Sequence, residues 1–310
     1  MSKAVRHLVS VSGGKDSTAV YLRAIEFGRP FRAVFADTGN EHEAVYEYVG
    51  RLHERTCGPA VETVRADFTA RLAQHREFIL REWPKQGIAA STVERAADLN
   101  QPTGNPYLDL CILKGRFPSR MAQFCTEELK SIPIATQVVR EMRAALGGRK
   151  PLQWLGIRAA ESQKRAKQPV LSRHESGSYI WRPIFRWSLD DVWAIHKRHG
   201  LARNPLYDMG FDRVGCMPCI NCRKGELALI AKRFPEHIER IAEWERIVAS
   251  ANKRGSATFF APGKDTTDKD GSFSDVRGVV EWSQTARGGR QFDMFQRGGG
   301  CGTDLCEEAA

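Results

Sequence analysis

The first 160 residues alternate between short apolar runs and longer segments with helical periodicity. The apolar runs are HLVSVS, PFRAVFAD, AVETVRAD and PLQWLGIRA, which begin at residues 7, 30, 60 and 151. After each of the first three, apolar residues recur every three or four positions, as on one face of a helix. Because parallel strands are joined by helical crossovers, this order predicts an α/β fold: a parallel sheet with helices on both faces.

The chain divides into three predicted regions. Residues 1–210 are expected to form an α/β nucleotide-binding domain, in which about 84–125 is an irregular lobe rich in turn formers. Residues 211–254 hold a cysteine-rich segment and helices, and residues 255–310 are a basic, glycine-rich tail expected to be partly flexible. A further helix is predicted over SLDDVWAIHKRHG, which has an acidic first turn and a basic last turn.

Composition limits the class of partner. The 310 residues carry a net charge of +10, which suits either a solvated basic surface or an anionic partner such as a nucleotide, DNA or RNA. No apolar run approaches the roughly 18 residues that a membrane span needs. The first residues, MSKAVRHLVSV, carry charges within the apolar run and do not fit a signal peptide. We therefore expect a soluble, cytoplasmic protein without a membrane partner.

The first predicted strand runs directly into SGGKDS, residues 12–17, and then into a helix. The spacing is not that of a Walker A loop. Glycines let backbone N–H groups approach phosphate oxygens, and the helix N-terminus favours an anion. We expect Lys15 to add a cationic donor and Asp16 to hold Mg²⁺, because a carboxylate alone repels phosphate. An ordinary capped strand–helix turn is the alternative.

This loop resembles the pyrophosphate loop (PP-loop) of the N-type ATP pyrophosphatases, a superfamily that includes the phosphoadenosine-phosphosulfate (PAPS) reductases. FADTGNEH, NPYLDLCILKGRFPSRMAQFCTEELK, GIRAAES and NPLYDMGFDRVGCMPC also resemble blocks of the PAPS reductase family, in the same order. The resemblance covers roughly residues 8–225. It implies an adenine nucleotide alpha hydrolase-like fold, and ATP as the nucleotide.

The resemblance also implies roles for individual residues. Residues of the loop would hold the terminal phosphates: Ser12, Gly13, Gly14, Lys15, Asp16 and Ser17. Asp37 would lie near the adenosine or a metal. Residues after the fourth strand would line the nucleotide site: Gly156, Arg158, Glu161 and Arg165. Guanidinium groups suit bidentate phosphate binding, although surface ion pairs are the alternative for these charged residues.

Three cysteines stand two residues apart, at Cys216, Cys219 and Cys222. Such a run is typical of an iron–sulfur cluster, and Cys125 is the candidate fourth ligand. In adenosine-phosphosulfate (APS) reductases, which this region resembles, a cysteine pair and a later C-x-x-C hold a [4Fe–4S] cluster. Here one cysteine of the pair is absent and Cys222 is added. Zinc and a metal-free group of buried thiols remain the alternatives.

Two further cysteines, Cys301 and Cys306, follow a glycine-rich stretch near the C-terminus. PAPS reductases resemble this in carrying a mobile C-terminal cysteine, but in a different local sequence. We expect either a catalytic redox pair or an inert tail. Cys57 and Cys111 are predicted to be core thiols. The stretch VVEWSQTARGGRQFDMFQR interleaves aromatic and basic residues, which fits either single-stranded nucleic acid or a strand packed on the main domain.

Three functions are compatible with these features. The first is an ATP pyrophosphatase that adenylates an acceptor and couples this to sulfur transfer, as in the similar DNA-phosphorothioation enzymes; its sulfur donor would be a partner such as a cysteine desulfurase. The second is a PAPS or APS reductase that releases sulfite. The third is a non-catalytic nucleotide-binding subunit of a modification or defence complex. The intact loop favours the first, because the reductases resemble it only with degenerate loops.

Overall fold

A computed structural model describes residues 5–260 and 275–286. Six strands form one sheet in the order β3-β2-β1-β4-β6-β5, and all neighbours are parallel except β5, which runs antiparallel to β6. The strands are β1 (His7–Val11), β2 (Phe31–Asp37), β3 (Val61–Arg65), β4 (Leu152–Trp154), β5 (Leu171–Arg173) and β6 (Tyr179–Trp181). The α/β prediction is therefore confirmed, and the two short strands β5 and β6 extend the sheet beyond it.

Twelve α-helical segments occur in the described ranges. They are α1 (Lys15–Phe27), α2 (Glu43–Gly50), α3 (Thr69–Glu82), α4 (Ala90–Leu99), α5 (Pro106–Lys114), α6 (Phe124–Thr126), α7 (Arg140–Ala145), α8 (Gln163–Ala166), α9 (Leu189–Arg198), α10 (Lys224–Arg233), α11 (Pro235–Ser250) and α12 (Val276–Ser283). Wider π-type turns over Glu127–Ser131 and Ile134–Val139 join α6 and α7 into one helix across residues 124–145.

Apolar side chains cover both faces of the sheet, as a buried parallel sheet requires. On one face Val9 and Phe35 belong to a large core that includes α1 and α11. On the other face Leu8 and Val34 pack with Met142 of α7. Successive strand residues therefore serve opposite cores, which explains why the strands read as continuous apolar runs.

The sheet order places a binding crevice beside β1. From β1 the chain moves outward to β2 and β3 on one side, whereas β4 and β6 lie on the other. In open parallel sheets, ligands bind outside the carboxyl ends of the strands where the order reverses. The segments that follow β1 and β4, which contain Ser12 and Gly156, emerge at this point.

The prediction of an irregular lobe at about 84–125 is wrong for much of its length, because α4 and α5 lie there. Helix α4 buries Val93, Ala96 and Ala97 beside α3. Helix α5 begins at Asn105, whose side chain accepts from two backbone N–H groups, and ends at Gly115 with a φ of 61°. Seven of its nine residues are buried, so no one-sided periodicity marked it as a helix.

Part of the predicted tail is ordered as helix α12, which packs against α10 and α11. Trp282 lies in this helix, which corrects the alternative of a tail strand. The Glu245 carboxylate of α11 accepts hydrogen bonds from Phe259 N and Val276 N, at 2.6 and 2.8 Å, and fixes α12 to the domain. None of the helices in the described ranges is long and apolar enough to span a bilayer.

Candidate nucleotide and cysteine site

The loop between β1 and α1 is held open by glycine geometry and by its two serines. Gly13 has a φ of 74°, which favours glycine, and a Cβ there would lie 3.0 Å from Val45 Cγ1. Ser17 Oγ accepts from Ser12 N at 3.0 Å and donates to Gly14 O at 3.0 Å. Gly14 caps α1 without any side chain. The N-cap residue of α1 therefore presents no side-chain oxygen, although the Lys15 N–H donates to the Tyr207 hydroxyl, and the helix N-terminus favours an anion.

Gly156 closes the loop from the adjacent strand end. A Cβ at this position would lie 2.7 Å from Ser17 N and 2.8 Å from the backbone carbon of Asp16. Backbone atoms cannot yield to such a contact as a flexible side chain can. Only glycine fits here, so Gly156 packs directly against the loop, and its role in lining the nucleotide site stays a prediction.

Lys15 is anchored by a segment almost two hundred residues away. Its Nζ donates to Asp212 O at 2.9 Å and lies 5.2 Å from the Tyr207 ring centroid, while its backbone N–H donates to the Tyr207 hydroxyl at 2.8 Å. Burial is the largest cause that lowers the pKa of Lys15, followed among the lowering causes by the charge of Arg158. The ammonium is thus positioned at the loop and partly desolvated.

Asp16 and Arg158 form an ion pair in which Asp16 Oδ1 accepts from Arg158 Nε. The side chains are only 15% and 9% exposed. Asp16 is expected to hold a metal ion, but Arg158 already neutralises one of its carboxylate oxygens. Asp16 Oδ2 is the oxygen that remains for Mg²⁺, so a single carboxylate ligand is compatible with the pair.

Glu161 connects Arg158 to Arg165. Its carboxylate accepts from the backbone N–H of Arg158 at 2.9 Å and forms an ion pair with the Arg165 guanidinium. The Arg165 side chain is 42% exposed. The structure thus brings Arg158 and Glu161 to the loop. The guanidinium of Arg165 lies on a half-exposed surface, where it is paired with Glu161.

Asp37 lies at the end of β2. Its Oδ1 accepts from Gly39 N and from the Tyr46 hydroxyl, both at 2.8 Å, and its Oδ2 lies 3.3 Å from Arg65 Nε. The pKa of Tyr46 is raised well above its usual range, first by burial and then by the carboxylate of Glu41. The predicted role of Asp37 at the adenosine or a metal stays a prediction.

The four predicted cysteine ligands come from two distant segments. Cys125 lies in the short helix α6, and Cys216, Cys219 and Cys222 lie in the loop that precedes α10. Cys216 forms an isolated antiparallel bridge with Glu41 after β2, and its Sγ lies 3.6 Å from Thr38 Oγ1. Cys216 therefore lies next to the same strand end that carries Asp37.

Two cations face these sulfurs. Lys130 Nζ lies 3.9 Å from Cys216 Sγ, and the Arg213 guanidinium lies 3.5 Å from Cys219 Sγ. The pKa of Lys130 is raised, first by Cys216 and then by Glu41. Burial raises the pKa of Cys216 to about 12, so a metal would have to displace its proton. The cations offset the charge that bound thiolates would bring.

Among the described residues, only His42, Glu43 and His237 place three ligand atoms within 4.8 Å of one another. That the four cysteines hold an iron–sulfur cluster stays a prediction, with zinc as the alternative. In the histidine group, His42 Nδ1 already accepts from Ala44 N and Arg240 lies against His237, so we assign it no ligand role.

The other cysteines divide differently. Cys111 is buried, as predicted, but Cys57 is exposed, so the prediction of a core thiol is wrong there. It follows α2 in a turn, where the chain leaves the core. Cys301 and Cys306, the predicted catalytic pair, lie outside the described residues, as do the basic residues after 286.

Several functional neighbours escape a reading of the sequence. Glu41, Lys130, Tyr207 and Asp212 reach the site only because the fold brings them there, and none lies in a recognised spacing. A weak signal existed for all four, because each lies in a block that resembles the PAPS reductase family: Glu41 in FADTGNEH, Lys130 at the end of NPYLDLCILKGRFPSRMAQFCTEELK, and Tyr207 and Asp212 in NPLYDMGFDRVGCMPC.

Comparison with known proteins finds one family. The family model for the phosphoadenosine phosphosulfate reductase domain matches residues 6–222, a range that begins before the loop and ends at Cys222. An uncharacterized 37.8 kDa protein of Escherichia phage 186 is 43% identical and aligns with 93% of this chain and 91% of its own length. Adenosine 5'-phosphosulfate reductase 1 of Bacillus subtilis is 25% identical, over 60% of this chain and 61% of that protein. A crystal structure of PAPS reductase from Candida auris, in a phosphate complex, has a TM-score of 0.42 and 16% identity, covering 69% and 82% of the two chains.

Proposed function

The chain belongs to the phosphoadenosine phosphosulfate reductase family, and we propose that within it this protein is an ATP pyrophosphatase that couples adenylation of an acceptor to sulfur transfer. Membership of the family makes the protein similar to the PAPS and APS reductases. We propose in addition which phosphate compound the loop binds and which bond of that compound is broken.

The loop carries the proposal. Its glycines admit a close anion, the N-terminus of α1 favours negative charge, and Lys15 adds a positioned ammonium. These groups suit the outer two phosphoryl groups of a triphosphate. A sulfonucleotide has no such pyrophosphate, so the reductase reaction gives the glycine loop and Lys15 no pyrophosphate to bind.

In the proposed reaction, an acceptor oxygen attacks the α-phosphorus of ATP. A new phosphorus–oxygen bond forms, the bond to the bridging oxygen of the β-phosphoryl group breaks, and pyrophosphate leaves. Lys15 and the N–H groups of the loop stabilise the charge that develops on this leaving group. Asp16 would hold Mg²⁺, which supplies further neutralisation of the phosphate oxygens.

Sulfur transfer would complete the cycle. A donor sulfur attacks the activated acceptor atom, the bond from that atom to the adenylate oxygen breaks, and AMP leaves with the electron pair. Cys125, Cys216, Cys219 and Cys222 would hold an iron–sulfur cluster, which can bind and polarise sulfur. Lys130 and Arg213 keep positive charge beside those thiolates. The sulfur donor would be a partner protein such as a cysteine desulfurase.

A second candidate is a sulfonucleotide reductase, favoured by the similarity to proteins named adenosine 5'-phosphosulfate reductase. In that reaction a cysteine thiolate attacks the sulfonyl sulfur and the nucleotide phosphate leaves. A second thiol then releases sulfite and forms a disulfide. Cys301 and Cys306 are the candidate thiols for this chemistry.

Parallel anaerobic incubations separate the two functions. Protein with magnesium is given ATP, APS or PAPS, each with a dithiol reductant and with or without nucleic acid, and pyrophosphate and sulfite are measured. We expect pyrophosphate and AMP from ATP, and no sulfite from the sulfonucleotides. Sulfite without pyrophosphate would establish the reductase instead, and neither product would favour a non-catalytic nucleotide-binding subunit.

A further inference from the structure

A cleft of about 620 Å³ lies away from the phosphate loop, among α3, α5 and the turn after α11. Helix α5 runs between the two places. Its N-cap residue, Asn105, donates to Gly39 O beside the end of β2, at 2.7 Å, and its last residue, Lys114, lines the cleft. At 1.5 Å per residue, the nine residues of α5 separate the cleft from the strand edge by about 14 Å.

The lysine and arginine side chains of the cleft make it positively charged. Lys114, Arg116, Lys253 and Arg254 line it, and no Asp or Glu of the described ranges does. Lys114 is partly neutralised, because its Nζ lies 2.9 Å from Glu128 Oε1. Arg116 and Arg254 are exposed and form no ion pair with any described residue. The cleft therefore offers at least two uncompensated guanidinium groups to an anionic ligand.

The same cleft exposes an aromatic face. Phe78 is 41% exposed, although a phenylalanine on a helix of the core would be expected to be buried. Its ring stacks on His75, with 6.0 Å between centroids and 11° between planes. His75 is in turn fixed by a hydrogen bond between its Nδ1 and Asn100 Oδ1 at 2.7 Å. Phe78 is thus a supported flat surface at the edge of a basic cleft.

We propose that this cleft binds a single-stranded nucleic acid. Guanidinium and ammonium groups match a backbone of repeated phosphates, and an exposed aromatic ring matches the face of an unpaired base. In a duplex the faces of the bases are stacked on one another, so no base face is available to the Phe78 ring. An acidic peptide would satisfy the cations but would leave the ring exposed.

The position of the cleft relates it to the cysteines. Lys114 and Arg116 lie over the Phe124 ring, each with its cation 5.8 Å from the ring centroid. Cys125 follows Phe124 directly in α6. A strand bound along these cations passes beside the segment that carries Cys125. Binding itself requires neither ATP cleavage nor a cluster, so the inference stands apart from the proposed function.

The first experiment tests stacking. The anisotropy of fluorescein-labelled 12-mers is measured with single-stranded DNA, single-stranded RNA and duplex DNA of the same sequence. We expect the single strands to bind more tightly than the duplex, and Phe78→Ala to weaken binding about 5- to 100-fold, as the loss of one stacked base does. Leu80→Ala is the matched control, because Leu80 lies on the same helix, is 44% exposed and does not line the cleft. The ribose and deoxyribose arms show which sugar is preferred.

The second experiment counts phosphate contacts. We expect log K to fall linearly with log salt concentration, and Arg116→Gln and Arg254→Gln each to flatten the slope by about 0.7. Lys197→Gln, an exposed cation on α9, should leave the slope unchanged. Gly156→Ala, which disturbs only the phosphate loop, should still bind the strand. Tighter binding to the duplex than to the single strands would overturn the proposal, as would no binding at 50 mM salt. It would also be overturned if a polyglutamate peptide bound as tightly as the single strands and Phe78→Ala had no effect.

Discussion

The phosphate loop and the cysteine group hold charge by different means. The loop uses backbone geometry: Gly13 and Gly156 allow close approach, and Gly14 caps α1 without a side-chain oxygen. The cysteine group uses side chains, with Lys130 and Arg213 directed at the sulfurs of Cys216 and Cys219. The loop is therefore suited to an external anion, whereas the cysteine group places two cations beside thiols that would become thiolates on binding a metal.

One segment nevertheless connects the two regions. Residues 204–222 begin against the loop, where Tyr207 contacts Lys15, and continue into the cysteines at Cys216. The carbonyl of Val214 would lie 3.3 Å from a Cβ on Gly14. A shift of this segment would reach both regions, but a substitution confined to one region should leave the other intact. The variants below test that separation.

The largest expected effect is on the cysteine side. Cys219→Ser should abolish iron binding and the brown colour of anaerobically purified protein, because a serine hydroxyl is a poor cluster ligand. Iron and acid-labile sulfide analysis measures the loss. Cys57→Ser, which removes an exposed thiol, should retain the iron. If colourless wild-type protein contains zinc and no iron, the cluster assignment is wrong.

On the loop side, Gly156→Ala should lower the rate of pyrophosphate release from ATP about 100-fold, because the added Cβ displaces the backbone of Asp16 and Ser17 and a misplaced reacting group costs about that much in rate. A pyrophosphate-release assay with ATP and magnesium measures it. The control is Gly225→Ala, since a Cβ at Gly225 meets nothing within 4 Å. Normal iron content in Gly156→Ala would support the separation, and simultaneous loss of iron would break it.

Arg158→Met tests the ion pair beneath the loop. We expect a loss of about 2 kcal/mol in the free energy of unfolding, somewhat below the 3–5 kcal/mol for a fully buried pair, because Asp16 retains some contact with solvent. The double variant Asp16→Asn/Arg158→Met should recover part of it. Arg165→Met, at the more exposed pair with Glu161, should cost no more than about 0.5 kcal/mol. Equal losses at both arginines in urea denaturation would contradict this ranking.

The smallest expected effect is a pH dependence at Lys15. Burial lowers the pKa of this ammonium, so its proton is lost below the usual lysine range. Because the charged form attracts phosphate, ATP affinity should fall by about tenfold as pH rises towards 10. Lys15→Arg keeps its charge throughout and should flatten the profile. An identical profile in the two proteins would show that Lys15 does not bind the nucleotide.

Local sequence was enough to predict the loop but not the charge around the cysteines. The strand, the glycines and α1 are contiguous, and the capping box of Ser188 also marked α9 correctly. Helix α5 was missed because it is buried nearly all round. Lys130 and Glu41 lie in blocks that resemble the PAPS reductase family, but their place at the cysteines was missed because each meets Cys216 only in the folded chain. Such contacts depend on topology, which no spacing in the sequence records.

The most direct measurement is a crystal structure of the protein with magnesium and an ATP analogue that carries a methylene group between the α- and β-phosphorus atoms. We predict that the β- and γ-phosphoryl groups lie within hydrogen-bond distance of Gly14 N–H and Lys15 Nζ, with the α-phosphorus open to an acceptor on the other side. A nucleotide bound elsewhere, or bound with only its α-phosphate on the loop, would contradict it.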